Sequence, residues 1–255
     1  MTVIQKASAE KPGGAARLLR YLGMPVFLGL VCLALYLYVS SQKLDSIEQR
    51  SLNMNVIITQ TTQLIVLAAV STVIVVVLAV TAGILLTRPL TRRVSPVIVG
   101  LANIGQAVPS IGLLALFALT WDFGFWPAVV ALVAYSFLSI LRNTMVGLQQ
   151  VDRSIIEAAR GMGMTKTAAL FRIELPLAVP IILAGIRTAL IINVGSATLG
   201  TFIGAGGLGE MINNALRLGR YDTVLVVGSV LTAVLALFLD WLAGVAEEVL
   251  RPKGL

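Results

Sequence analysis

The sequence contains no histidine, one cysteine and few charges, 12% of 255 residues, and each shortage removes a class of function. Without histidine the chain lacks the usual general base near neutral pH and the commonest metal ligand. A single cysteine, Cys32, supports neither an internal disulfide nor a thiolate metal cluster. An ordinary soluble domain is about 25% charged, whereas here 58% of residues are apolar and the mean hydropathy is +0.94. Polar surface is then too scarce to coat a globule in water, so the surplus apolar surface has to face lipid.

A lipid core of about 30 Å, crossed at about 1.5 Å per helical residue, needs about 20 apolar residues. Runs free of Asp, Glu, Lys and Arg cover 21–42, 51–87 and 94–121. The first predicts a span over 22–40. The second is too long for one crossing and too short for two. Asn53, Asn55, Thr59, Gln60, Thr61, Thr62 and Gln63 make its first part polar, which predicts an interfacial or pore-facing lead-in and then a span over 64–86. Pro96, Pro109, Gly100, Gly105 and Gly112 in the third predict a bent or broken span over 94–119. Spans over 123–141, 177–200 and 224–243 complete an all-α polytopic membrane protein of about six helices. The membrane domain is expected over 22–245, between tails at 1–21 and 246–255, with a solvated loop over 142–176.

Basic residues set the orientation, because Lys and Arg accumulate on the cytoplasmic side. Lys6, Lys11, Arg17 and Arg20 precede the first span, and Arg88, Arg92 and Arg93 follow the second. Arg142, Arg153, Arg160, Lys166 and Arg172 lie in the long loop, and Arg251 and Lys253 in the C-terminal tail. The other side holds Lys43, Arg50, Arg217 and Arg220, with Arg187 left inside the membrane. Both termini are therefore expected in the cytoplasm, and the net charge of +7 is a topology signal, with no nucleic-acid partner. Trp121, Trp126 and Trp241 fall where interfacial anchors belong. Val39-Ser40-Ser41 is a weak cleavage site, but the 18-residue apolar core before it exceeds a usual signal-peptide core, and an uncleaved helix is expected. Cys32 is expected as a small apolar residue facing lipid.

The loop between spans four and five departs from the rest. Residues 142–174 hold eight charges. Asp152 or Ser154 can cap a short helix, with Ser154 and Glu157 at capping-box spacing. Gly163 ends that helix, and Thr165 starts a second before Pro176. Ile155, Ile156, Met162, Met164, Leu170 and Phe171 have no reason to sit in a solvated loop unless a partner covers them.

Glu157-Ala158-Ala159, three residues, Gly163, nine residues, Ile173, one residue and Leu175-Pro176 fit without a gap the EAA-x3-G-x9-I-x-L-P loop of permease subunits of bacterial ABC importers. Around it, 135–144 (YSFLSILRNT), 161–165 (GMGMT), 174–176 with Gly185-Ile186-Arg187-Thr188, and 203–209 (IGAGGLG) resemble the osmoprotectant branch, which takes up glycine betaine, carnitine or choline. The resemblance covers about residues 55–245 and implies the type I importer permease fold. It implies that Glu157, Ala158, Ala159 and Gly163 form a coupling helix docked in a cleft of a separate ATPase, the alanines permitting close approach and the glycine the turn. For Glu157, capping is a compatible second role. Ile173, Leu175 and Pro176 either touch that partner or close the elbow into span five.

Other signals carry less. Residues 204–209 satisfy G-x-G-x-x-G, but they follow an apolar helix instead of a strand, so a dinucleotide fingerprint does not apply. The glycines suit a non-helical turn or close packing near an outer vestibule, and Gly200 with Gly204 has small-xxx-small spacing. No G-x-x-x-x-G-K-[ST] occurs, so ATP binding through a P-loop has to come from another chain. Arg187 needs a counter-charge or water inside the membrane, and Asp240 is the chemical match; a structural ion pair and a gate or pathway role both remain open. Asn103, Gln106, Ser110, Asn193, Ser196 and Thr198 sit on Gly- or Pro-interrupted spans and are the translocation-path residues, with ordinary helix-helix hydrogen bonding the alternative for each.

The expectation is a non-enzymatic subunit that dimerises with an identical or paralogous permease and docks two ATPases through 152–172. It alternates access in a prokaryotic plasma (inner) membrane for a solute delivered by an extracellular or periplasmic binding protein. No cofactor belongs to the chain; ATP and magnesium belong to the partner ATPase, and the family's aromatic cage for quaternary ammonium to the binding protein. The rival is a self-contained secondary transporter or channel, against which stand the lack of an internal repeat and the scarcity of intramembrane acids, Asp240 and the boundary Asp122. A membrane-embedded hydrolase would need a histidine or a G-x-S-x-G elbow.

Overall fold

The computed structural model describes residues 14–219 and 222–250, with side chains described over 21–219 and 222–249. Lys6, Lys11, Arg17, Arg20, Arg220, Arg251 and Lys253, which orient the sequence, lie outside those side chains.

Among the described residues the regular structure is all helical, without a strand. α1 (Gly14–Ser41) leads through a short α2 (Ser46–Ser51) into α3 (Met54–Leu86). α4 (Ser95–Ala107) and α5 (Ser110–Thr120) meet at 97° across Val108-Pro109. This is the broken third span, since Pro109 removes a helical donor and forces Val108 into an extended conformation. α6 (Phe125–Gln149), α9 (Leu175–Thr198) and α11 (Asp222–Leu250) are the other long helices, and α10 (Gly209–Leu218) lies between the last two. Among the described residues five helices are long and apolar enough to cross a membrane, or six with the bent pair as one.

The polar stretch after residue 51 is continuous with the span that follows it. Asn53 caps α3 by accepting the Asn55 amide at 2.9 Å, and the helix then runs unbroken through Thr59, Gln60 and Gln63 into the apolar part. At about 1.5 Å per residue it reaches some 50 Å, well beyond a lipid core, so its polar first turns need not be in lipid. α1 likewise begins before residue 22, and α11 continues past 245.

α6 is the centre of the bundle, packed between α3 and α9. Lipid tails are as apolar as leucine, so these helices are held by close contact more than by removal from water. Small residues supply that contact: a Cβ on Gly185 of α9 would lie 2.6 Å from Asn143 Cβ, and one on Gly147 of α6 3.1 Å from the Ala178 carbonyl oxygen. Leu64, Leu67, Leu114, Leu132, Leu208 and Met211 fill the core at one end, and Val75, Ile140, Leu141 and Ala189 continue it toward the other. α1 stands at the edge against α11, with Leu28 turned inward and Cys32 exposed. Trp121 and Trp126 are exposed beside the α5–α6 turn, and Trp241 stacks on Phe238.

Candidate functional site

The segment between α6 and α9 folds as two short helices about a glycine turn. Asp152 caps α7 (Arg153–Gly161), its carboxylate accepting the Ser154 amide at 2.9 Å. That backbone hydrogen bond holds the Asp152 carboxyl below its ordinary range. The capping pair expected of Ser154 and Glu157 does not form, because the helix is capped two residues earlier, at Asp152, which leaves Glu157 exposed in the body of α7. Gly163 has φ +89°, which any side chain would strain, and it reverses the chain. Thr165 then caps α8 (Lys166–Ala169) by accepting the Ala168 amide at 3.1 Å. A π turn over Leu170–Glu174 joins α8 to α9, placed just before Pro176, which has no N–H for the carbonyl four residues back.

The apolar residues of this segment divide. Ala159, Ala169 and Leu170 are buried, while Ile155, Met162 and Phe171 are 45%, 75% and 62% exposed. Ala158 and Gly163 are exposed beside Glu157, and Ile173, Leu175 and Pro176 are half-buried at the elbow. The elbow is fastened by a pair the sequence did not single out. Glu174, 6% exposed, accepts from both guanidinium ends of Arg88, at 2.7 and 3.3 Å. Arg88 belongs to the turn after α3, so the fork ties this segment to a second long helix.

The polar residues of the spans do not converge on one cavity. Asn103 accepts from Arg142 at 2.8 Å and donates to the Val99 carbonyl. Gln106 and Ser110 flank the 97° bend, both half-buried. Asn193 is fully buried and donates to Thr72 at 3.1 Å between α9 and α3, and Ser196 is buried one turn on. Thr198 lines a recess of about 270 Å³ with Thr201, Asn213 and Thr232. Arg187 does meet Asp240, donating through Nη2 to Oδ2 at 2.8 Å, with Glu247 3.8 Å from its other arm. Arg187 and Glu247 line a pocket of about 490 Å³ with Tyr21 and Trp241.

At the end of the bundle opposite α7, a 3-10 turn over Leu199–Ile203 runs into the glycine stretch. Gly204, Gly206 and Gly207 all have positive φ, the non-helical turn expected of them. Gly207 N–H donates to Gln63 Oε1 at 3.0 Å, and a Cβ on Gly206 would lie 2.6 Å from that same oxygen. The turn is thereby pinned to α3, and it delivers Glu210 in the first turn of α10 to Gln60, whose Nε2 donates to Oε2 at 3.2 Å. Polarity at positions 60 and 63 was the available signal for this contact, read only as a lead-in to the span.

Comparison with known proteins agrees with this geometry. The chain is 40% identical over 191 residues to the choline transport system permease protein OpuBB of Bacillus subtilis (strain 168), covering 75% of this chain and 87% of that one. It is 44% identical over 161 residues to the osmoprotectant import permease protein OsmY of Salmonella typhimurium (strain LT2), covering 63% and 68%. An inward-facing structure of the MetNI methionine ABC transporter superposes with a TM-score of 0.68 at 26% identity, over 78% of this chain and 98% of that chain. The family model for the binding-protein-dependent transport system inner membrane component matches residues 79–251. With its helix–glycine–helix segment and broken span, the chain belongs to this family of inner membrane transport components, and it is a multi-pass permease subunit.

Proposed function

We propose that the chain is the permease of an ATP-driven importer for a compatible solute such as glycine betaine, carnitine or choline. The observation that carries the coupling role is the segment 152–172, where Ile155, Met162 and Phe171 stay exposed around Glu157 while Ala159 and Leu170 anchor it inward. An apolar face rimmed by charge on a rigid turn suits a groove in a partner. In this reading two ATPases, which bind the ATP and magnesium, dock at Glu157, Ala158 and Gly163 over the inward-packed Ala159, with Ile173, Leu175 and Pro176 at the hinge. A second permease, identical or paralogous, completes the pathway. A binding protein delivers the solute from the outside, both termini lie in the cytoplasm, and the chain performs no chemistry of its own. The solute class is supported by the names of the relatives. Asp240 is engaged by Arg187, which disfavours it as a proton or sodium site in a self-contained secondary transporter.

The test is purification of the tagged chain in mild detergent, identification of co-purifying proteins, and uptake in liposomes with the candidate binding protein. The expected result is a P-loop ATPase bound to the native chain and lost from a Glu157→Lys/Gly163→Val variant, which still inserts but no longer supports uptake. A chain that purifies alone and transports without ATP would overturn the proposal.

A further inference from the structure

Gln60 stands between two recesses of opposite charge at the end of the bundle away from α7. It is 8% exposed, and its Oε1 is buried without a hydrogen-bond partner while Nε2 is held by Glu210. On one side a recess of about 310 Å³ is lined by Asn55, Thr59, Gln63 and Glu210. On the other a recess of about 220 Å³ is lined by Arg50, Ser51 and Asn214. Val56 and Gln60 form the wall common to both. Among the described residues Glu210 is the one charge lining the first recess and Arg50 the one charge lining the second. The first is about the size of the smaller ligand pockets, which start near 300 Å³.

The chemistry of the walls selects a ligand. A trimethylammonium head has no N–H to donate, so it is recognised by negative potential and by amide and hydroxyl oxygens, which Glu210, Asn55 and Thr59 supply. A carboxylate seeks a guanidinium, which Arg50 supplies. Glu210 is fixed for this task by its own contacts: Gly207 hangs from Gln63, the turn sets α10, and Gln60 holds the carboxylate. We infer that the two recesses are a transit site for a small zwitterion, its cationic head against Glu210 and its carboxylate toward Arg50. A solute with the cationic head alone uses the first recess. The inference deepens the proposed osmolyte reading and rests on it for the identity of the solute.

The test places a thiol at exposed Thr59 (Thr59→Cys) in a Cys32→Ser background and labels membrane vesicles with methanethiosulfonates. Reagents carrying a trimethylammonium and a sulfonate group are compared. A unit charge within several ångströms favours the cation over the anion by about tenfold even at the dielectric of water. Normalised to the ratio for a free thiol in solution, that preference is expected with Glu210 in place and is expected to fall to about one in Glu210→Gln. Millimolar choline and glycine betaine should both slow labelling, and Arg50→Gln should remove protection by glycine betaine while leaving that by choline. The uncharged carbon isostere of choline, 3,3-dimethylbutan-1-ol, should not protect; this reads the demand for charge with Glu210 in place, should Glu210→Gln fail to insert. An unchanged ratio in Glu210→Gln, or equal protection by choline and its isostere, would overturn the site. Charge selectivity and protection without ATP-driven uptake would instead strike the importer reading and leave the site standing.

Discussion

Arg88→Ala should damage both stability and coupling, because it strands a carboxylate that the fold has taken out of water. Glu174 is 6% exposed and both of its oxygens are held by the one guanidinium, at 2.7 and 3.3 Å. Removing one partner of a fully buried pair costs about 3–5 kcal/mol, and a hydrogen bond to a charged group about 1.5–3 kcal/mol. Arg88 keeps 32% of its side chain in contact with solvent, so water reaches the break and the expected loss is about 1–3 kcal/mol. Glu174→Leu on the Arg88→Ala background should recover part of it, since no charge then remains buried. Denaturation of the purified chain in mixed micelles, followed by the fluorescence of Trp121, Trp126 and Trp241, measures the double-mutant cycle. A coupling energy of about 1–2 kcal/mol is expected for residues in direct contact. In reconstituted complexes the same variants should keep ATP hydrolysis better than uptake, since the fork joins the 152–174 segment to α3. Additive effects, or a loss below about 0.5 kcal/mol for Arg88→Ala, would refute the clamp.

Three further outcomes follow from other contacts. Gly185→Ala should destabilise the α6–α9 packing by about 1–3 kcal/mol, because its Cβ would lie 2.6 Å from Asn143 Cβ; Gly29→Ala, with nothing within 4 Å, is the neutral control in the same denaturation assay. Arg187→Ala should lower abundance in the membrane, leaving Asp240 without its partner at a cost of about 2.5–3.5 kcal/mol, and Arg187→Ala/Asp240→Ala should restore much of it in an expression assay. The folded-state pKa of Asp152 is depressed below 3.8, so its support of α7 is fully present above that value and is lost as pH falls through the lower one. The Ser154 amide resonance should report a midpoint under 3.8, and a midpoint above it would contradict the cap.

Much of the fold and of the 152–174 segment was legible in the sequence because the physics there is local. Apolar runs without charge mark the long helices, Pro109 breaks the third, and Asp152, Gly163 and Thr165 punctuate two short helices whose caps and positive φ are one-residue requirements. What escaped was long-range. The polar run through Gln60 and Gln63 reads as an interruption until α10 is seen to bring Glu210 and Gly207 against it from 150 and 144 residues away. Arg88 reads as a marker of sidedness until Glu174 closes on it across 86 residues. For Asn193 and Ser196 the sequence admits both a path-lining role and helix-helix hydrogen bonding; packing buries both, and Asn193 is bonded to Thr72. The sequence by itself thus determined that the chain crosses a membrane as helices and presents a charged helix–glycine–helix loop, because span length, charge and helix punctuation depend on neighbours along the chain. Only the tertiary structure decided which polar groups meet, because a buried hydrogen bond or ion pair takes whichever partner the packing of distant helices sets within about 3 Å.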